Sequence, residues 1–245
     1  MMNRNRIALG KLTAFVFLVF ACTSCSPLKS VVREHTDREV ESAEESIHQD
    51  VQWKVEFEEN FSSYDLGTEP DSLFILDGAY EVREETEQKV LTLPGSPVGD
   101  FGFLFGPRVR EKTLELQFTF KSAKKGRRFP SIAAGLGGVR AFRFRLNPAA
   151  RKLLVYADGR LLGERSFVWL EEAWWKVRLE ASPLSEERSR VRLKLWPESK
   201  GEPDNWLFDQ ETEFAFKGGK CAIWGYPYAG TEIHFDELII RSKEP

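Results

Sequence analysis

The stretch Thr113–Lys121, TLELQFTFK, alternates without a fault between apolar and polar side chains. Successive side chains of a β-strand point to opposite faces, so this period of two predicts a strand with one face on a core and the other in water. The same alternation recurs in WKVEF (53–57), FGFLF (101–105), AFRFRL (141–146), WWKVRLEA (174–181) and RVRLKLW (190–196). The repeated pattern indicates an all-β protein.

Turn-forming pairs separate these segments, among them Asp77-Gly78, Asn147-Pro148, Asp158-Gly159 and Gly218-Gly219. About a dozen short strands with regular turns, and no amphipathic stretch long enough for a major helix, predict an antiparallel β-sandwich or barrel over residues 51–245. That many strands suit a two-sheet jelly-roll sandwich better than a seven-stranded immunoglobulin-like one.

The first 25 residues read as a bacterial lipoprotein export signal. Three basic residues precede a short apolar run, and Ala21 precedes Cys22, so we expect cleavage after residue 21 and lipidation of Cys22. Cys25 is the rival lipidation site. Residues 22–50 hold seven acids against three cations and few large apolar residues, which predicts a flexible acidic tether. The expected location is the bacterial cell envelope, with Thr23 favouring the outer membrane.

The formal net charge is −3, which gives no indication of nucleic-acid binding. The chain has three cysteines, one of them at the predicted lipidation site and one in the tether. A disulfide framework is therefore not expected, and Cys221 is interpreted as a small apolar core residue.

Four ordered segments resemble the concanavalin A-like superfamily, which includes bacterial laminin G-like and 3-keto-disaccharide hydrolase-like domains. They are DGAYEV (77–82), WWKVRL (174–179), KLWP (194–197) with Pro203 and Trp206, and FDELII (235–240). The resemblance covers most of residues 55–242. It implies a two-sheet jelly roll and makes a glycan ligand more plausible, although fold alone does not fix function.

Signatures of catalysis are missing from the sequence. The Glu-x-Asp-x-x-Glu arrangement of family 16 glycoside hydrolases is absent, and Glu115 and Glu180 are interpreted as solvated carboxylates paired with arginines. Only His234 falls within the predicted domain, so a histidine-rich zinc site is not expected and a structural role is favoured. No cofactor is expected, with one exception.

That exception is a structural calcium ion held by Glu59 and Asp236, with Glu58 and Asn60 nearby. The terminal strands of jelly rolls usually pair, which could bring these oxygen ligands together. The alternative is that Asp236 accepts a backbone hydrogen bond at a strand irregularity.

The segments 173–181 and 188–196 predict a hairpin with a cationic outer face, which we name the hairpin stripe: Trp174, Lys176, Arg178, Arg192, Lys194 and Trp196. The first register pairs Arg178 with Arg192, and a slip by two still juxtaposes cations. Like charges opposite one another are unfavourable, so something acidic must compensate. The compensating negative charge comes either from an adjacent strand, such as that of Glu115, or from an acidic polysaccharide whose sugar rings stack on the tryptophans. Arg143 and Arg145 would extend the stripe.

Loop aromatics form a second candidate site: Trp206 in a polar loop, and Trp224, Tyr226 and Tyr228 in AIWGYPYAG. They either stack on sugar rings or plug the ends of the core. The glycines of AAGLGGVR (133–140) lack a phosphate-loop signature and indicate close backbone packing or a bulge.

The sequence thus predicts a lipid-anchored envelope module that recognises a carbohydrate without catalysis, and an acidic polysaccharide is the ligand that the hairpin stripe would suit. Two alternatives remain open: a module that docks on an envelope protein, and a glycoside hydrolase or lyase whose carboxylates come from different strands.

Overall fold

The computed structural model describes residues 52–97 and 99–245, all of it strand, turn or loop. The predicted signal, Cys22 and the tether lie outside the described residues. No helix in the described part of the chain is long and apolar enough to cross a membrane.

Fifteen strands, rather than about a dozen, form the described domain. In chain order they are β1 Lys54–Glu59, β2 Leu73–Asp77, β3 Glu81–Glu85, β4 Gln88–Leu93, β5 Phe101–Arg110, β6 Thr113–Ser122, β7 Ser131–Leu136, β8 Phe142–Asn147, β9 Lys152–Ala157, β10 Arg160–Ser166, β11 Trp175–Pro183, β12 Ser189–Pro197, β13 Phe208–Thr212, β14 Gly218–Tyr226 and β15 Ile233–Lys243. All of the pairings are antiparallel, as the alternating sequence predicted.

The strands form two sheets. The eight-stranded sheet has the order β13-β12-β11-β6-β15-β4-β3, with β1 also paired to β15, and the seven-stranded sheet has the order β10-β9-β8-β7-β14-β5-β2. Pairing of the first strand with the last confirms the expectation for the chain ends: Glu59 lies opposite Leu238. The two-sheet sandwich predicted from the sequence is the observed architecture.

The apolar faces of the two sheets enclose one core. Alternate residues of β6 (Leu114, Leu116, Phe118 and Phe120) are buried, as their period of two predicted. Across the core, the seven-stranded sheet contributes Phe103, Phe105, Phe142, Phe144 and Ile223. Cys221 is buried among them as a free thiol, and burial raises its pKa, which agrees with the predicted role as a small apolar residue.

The β11–β12 hairpin has the predicted faces but not the first predicted register. Arg178 lies opposite Lys194, and Glu180 lies opposite Arg192, which is the slip by two residues. The turn sets this register: Pro183 pairs with Ser189, and the amide of Leu184 donates to the carbonyl of Arg188 at 2.9 Å.

Candidate functional site

The hairpin stripe lies on the outer face of the eight-stranded sheet, where carboxylates of this chain neutralise its cations. Arg178 Nε donates to Glu115 Oε2 at 2.5 Å, and Arg192 pairs with Glu180. Glu202, from the loop after β12, bonds both Arg178 (2.9 Å) and Lys194 (2.7 Å). Lys176 lies between Glu198 (3.2 Å) and Glu237 (3.3 Å). The compensating acids come from the protein, as one of the two interpretations predicted.

Glu115 and Glu180 are not the solvated carboxylates that the sequence suggested, because their exposures are 0% and 2%. They lie directly opposite each other on β6 and β11. Glu115 also accepts a hydrogen bond from Gln117 at 2.6 Å and lies 3.6 Å from Arg241. Two carboxylates from different strands therefore do come together, but they are buried beneath arginines and do not face a cleft.

The two stripe tryptophans and Trp206 differ in their surroundings. Trp206 lies over the cations of Arg178, Arg192 and Lys194, with ring-centroid distances of 5.5, 4.5 and 5.0 Å. It therefore covers the stripe and does not plug the core. Trp196 lies opposite Lys176, and Trp174 accepts the amide of Glu198 through its carbonyl at 2.8 Å.

The predicted calcium ligands are occupied by hydrogen bonds within the protein. Glu59 accepts from the amide of Phe61 at 2.8 Å and from the hydroxyl of Ser72 at 2.9 Å. Asp236 accepts from the amide of Glu237 at 2.8 Å, at a bulge where Glu237 has a φ of 51°. Residues 52–97 and 99–245 contain no group of three side chains suited to a metal ion. Glu59 and Asp236 do not by themselves make a set of three ligands, and the strand-irregularity alternative describes Asp236.

His234 has the structural role that the sequence favoured. Its Nδ1 lies 2.9 Å from the Thr92 hydroxyl, and the side chain is buried. Burial holds the pKa of His234 below its usual value, so the imidazole is neutral at pH 7.

Arg143 and Arg145 do not extend the hairpin stripe, because β8 belongs to the other sheet. Trp224 and Tyr226 are not loop residues either: both lie on β14. On β14, Cys221, Ile223 and Gly225 point into the sandwich, so Ala222, Trp224 and Tyr226 point outward. We name the surface formed by Arg143, Arg145, Tyr156, Trp224 and Tyr226 the arginine–aromatic face.

The arginines of this face rest on aromatic rings. The guanidinium carbon of Arg143 lies 5.2 Å from the ring centre of Trp224 and 6.0 Å from that of Tyr156. That of Arg145 lies 4.0 Å from the ring centre of Tyr226. A guanidinium over an aromatic ring is a favourable cation–π arrangement. It holds the charge in place and leaves the N–H donors at the edge of the group free.

Carboxylates of the neighbouring strands do not neutralise these arginines. Asp158 and Glu164 pair instead with Arg140 (3.3 Å) and Lys152 (2.7 Å). Within residues 52–97 and 99–245, no acidic side chain forms an ion pair with Arg143 or Arg145. The cations of the hairpin stripe are paired with carboxylates, whereas Arg143 and Arg145 form no ion pair in the described ranges, and Asp100 is an acidic side chain close to Tyr226.

Small residues make room for Trp224. A Cβ on Gly102 would lie 2.4 Å from the Trp224 ring, and one on Gly135 would lie 2.6 Å from the carbonyl oxygen of Phe142. Ala133 and Ala222 are buried beside the ring, which is itself 4% exposed. Trp224 is therefore a fixed floor under Arg143, and Gly135 shows the close backbone packing that was predicted for it.

A cavity of about 210 Å³ lies at the Arg145 end of the face, lined in part by Ser131, Asn147, Tyr226 and Tyr228. The buried Tyr226 hydroxyl is the one buried side-chain polar atom in the described ranges that lacks a hydrogen-bond partner. Burial, with Asp100 nearby, raises the pKa of Tyr226 to about 12, so it remains a neutral phenol. The phenol can therefore donate a hydrogen bond, either to Asp100 or to a group that enters the cavity.

Several solved structures share the fold of this domain. The Emp47p carbohydrate recognition domain matches with a TM-score of 0.58 and 7% identity, over 79% of this chain and 97% of that chain. Lectin II from Ulex europaeus matches with a TM-score of 0.53 and 9% identity, over 78% of this chain and 100% of that chain. The fold is concanavalin A-like. The marine PL-14 alginate lyase from Aplysia kurodai matches with a TM-score of 0.58 and 9% identity, over 76% of this chain and 98% of that chain.

No family model matches this chain, and no curated protein matches its sequence. The structural likeness therefore extends to the fold alone. Both lectins and a lyase share it, so function must be argued from the surface chemistry of this chain.

Proposed function

We propose that this domain binds an acidic carbohydrate, without cleaving it, on the arginine–aromatic face. The observation that carries the proposal is the pair Arg143 and Arg145, which rest on aromatic rings and lack carboxylate partners in the described ranges. A guanidinium presents donors in a fork that matches a carboxylate or sulfate group. The fold supports the proposal because lectin domains share it.

The neutral donors and acceptors near the arginines suit sugar hydroxyls. Ser131, Asn147 and the Tyr226 hydroxyl lie around the cavity at the Arg145 end. Apolar surface continues along the face through Leu104 and Leu154, both half-buried. Carbohydrate sites combine such apolar surface with a few polar groups that fix orientation.

The hairpin stripe is the weaker surface for an anionic ligand. A polysaccharide bound there would have to displace Glu115, Glu180 and Glu202 from their arginine and lysine partners. Breaking a buried ion pair costs several kcal/mol. The arginine–aromatic face needs no such exchange.

The test is titration of the purified full-length protein with polygalacturonate, dextran sulfate and neutral dextran. Replacing both Arg143 and Arg145 with Gln should lower the affinity for the anionic polymers at least tenfold. The matched control replaces Lys54 and Lys200 with Gln; both are exposed and lie on the side of the other sheet. Retained binding by the Arg143→Gln, Arg145→Gln protein, with loss in a Lys176→Gln protein, would move the site to the hairpin stripe.

Reducing ends and unsaturated products should be assayed in the same mixtures. We expect binding without product, because the two buried glutamates that come together are covered by arginines. Product release would make the protein an enzyme. The absence of both binding and product release would favour a module that docks on an envelope protein.

We further infer that the domain is tethered to the bacterial cell envelope through lipid on Cys22, with residues 22–50 as spacer. The support is the order of charged, apolar and small residues before Cys22. Such an anchor would hold a polysaccharide-binding face near envelope or environmental glycans.

A further inference from the structure

A second cavity, of about 510 Å³, opens on the outer side of the seven-stranded sheet, at the opposite end of β14 from Tyr226. Four cationic side chains line it: Arg108 and Arg110 of β5, Lys217, and Lys220 of β14. We name it the basic pocket. Its single acidic lining residue is Glu111, so the lining carries an excess of three positive charges.

Only one of these four cations makes a hydrogen bond within the described part of the fold. Lys220 donates to the carbonyl of Gly106 at 2.9 Å. Arg108, Arg110 and Lys217 are exposed, and none of the ion pairs formed within residues 52–97 and 99–245 includes them. Like charges gathered around one cavity repel, so their proximity lowers stability unless an anion binds there.

Glycines give the pocket a floor of bare backbone. Gly137 and Gly218 have φ values of 87° and 72°, and a Cβ on Gly219 would lie 2.8 Å from the carbonyl carbon of Gly137. The amide of Gly138 donates to the carbonyl of Lys220 at 2.7 Å. The loop before β14 and the β7–β8 turn are thereby fixed against each other, and the pocket is built before any ligand arrives.

The basic pocket is continuous with the arginine–aromatic face. Lys220, Ala222, Trp224 and Tyr226 follow one another at alternate positions along β14, all toward the outer side. Ala222 lies opposite Gly135, which in turn lies opposite Arg143. At about 4.8 Å per strand and about 3.4 Å per residue, Lys220 is roughly 12 Å from Arg143 measured between Cα atoms.

We infer that the basic pocket is a separate subsite that binds a carboxylate or sulfate group of the same polysaccharide. This inference rests on the proposed function. A chain lying on Arg143 and Arg145 would extend along β14 and place a later acidic substituent among Arg108, Arg110, Lys217 and Lys220. The ligand would then be an anionic polymer that contacts the protein over several sugar units.

The test compares long and short anionic ligands on the full-length protein. Replacing Arg108 and Lys217 with Gln should lower the affinity for polygalacturonate and for a hexagalacturonate at least tenfold. It should leave the affinity for a digalacturonate unchanged, because a disaccharide on Arg143 and Arg145 does not reach the pocket. The matched control is again Lys54→Gln with Lys200→Gln, which removes the same charge.

Three outcomes would overturn the inference. Wild-type affinity of the Arg108→Gln, Lys217→Gln protein for the long ligands would remove the subsite while leaving the proposed function intact. Equal losses for long and short ligands, or in the control protein, would show a general charge effect. Failure of the wild-type protein to bind any anionic polymer would overturn both proposals together.

Discussion

At the scale of single residues, the outer face of the eight-stranded sheet depends on buried carboxylates. Glu115 has three partners, Gln117, Arg178 and Arg241, and is fully buried. Removing one member of such a network leaves an uncompensated charge in a poorly solvated place. Reversing the charge at Arg178 and Arg192 would therefore disrupt the fold.

We expect Glu115→Ala to lower the free energy of unfolding by about 3 kcal/mol, measured by urea denaturation. The matched control is Glu211→Ala, whose partner Arg188 lies 2.7 Å away on the exposed surface. Loss of that exposed pair should cost less than about 1 kcal/mol. Equal effects of the two substitutions would contradict the assignment of Glu115 as a buried structural anion.

Asp236 makes stability depend on pH. Burial raises its pKa from 3.8 to about 6, and the nearby charge of Glu237 adds to the shift. The folded state therefore holds the proton on Asp236 more tightly than the unfolded state does. The resulting stabilisation of the folded state is fully present below pH 3.8 and is lost as the pH rises through 6.

We expect Asp236→Asn to raise the free energy of unfolding at pH 7.5 by about 1 kcal/mol, a value reduced for partial solvent exposure. The amide oxygen can still accept from the Glu237 amide. The gain should vanish near pH 4, where Asp236 is itself protonated in the folded state. Thermal melts at the two pH values measure the difference, and an equal gain at both would refute the assigned shift.

At the scale of the strands, close approach of backbones positions the arginine–aromatic face. A methyl group on Gly135 would meet the carbonyl oxygen of Phe142, on the adjacent strand β8, at 2.6 Å. We expect Gly135→Ala to destabilise the domain by about 2 to 3 kcal/mol through this clash. Gly201→Ala is the control, since nothing lies within 4 Å of its added Cβ. Chemical denaturation of both variants provides the comparison.

Strand faces were predictable where one side of a strand is charged. In β6, β11 and β12 the period of two identified the core-facing apolar residues correctly, because polar and charged side chains alternate with large apolar ones, but it did not predict that Glu115 and Glu180 on the opposite face are also buried. The hairpin register was not fixed, because a slip by two keeps every side chain on its own face. The turn between Pro183 and Ser189 sets the observed register of the hairpin.

The arginine–aromatic face was not predicted as one surface. In β14, CAIWGY has apolar or small residues on both sides, so alternation gives no indication of which side faces the core. Arg143 and Arg145 alternate with phenylalanines, which placed them on an outer face, but the sequence does not show which sheet their strand joins. The one local signal was the set of small residues, Gly102, Ala133, Gly135 and Ala222, that leave space for Trp224.

At the scale of the whole molecule, the proposed lipid anchor makes a prediction of its own. Cys22→Ser should shift the protein from the membrane to the soluble fraction after cell lysis, because the chain would lose its lipid attachment site. Cys25→Ser is the matched control and should remain in the membrane fraction. Fractionation followed by immunoblotting measures both. The reverse pattern would place the lipid on Cys25.

The pairing of β1 with β15 also places the two ends of the described chain side by side, with Lys54 opposite Ser242. Domains whose termini adjoin tolerate circular permutation, and exposed polar loops are the favoured places for new ends. The exposed loop from Ser199 to Asn205 offers such a place. A permuted domain that begins in this loop, with the old ends joined by a short glycine-rich linker, should fold to the same sandwich. It would present the arginine–aromatic face from a different point of attachment, so the direction in which the face is displayed could be changed without altering a residue on it.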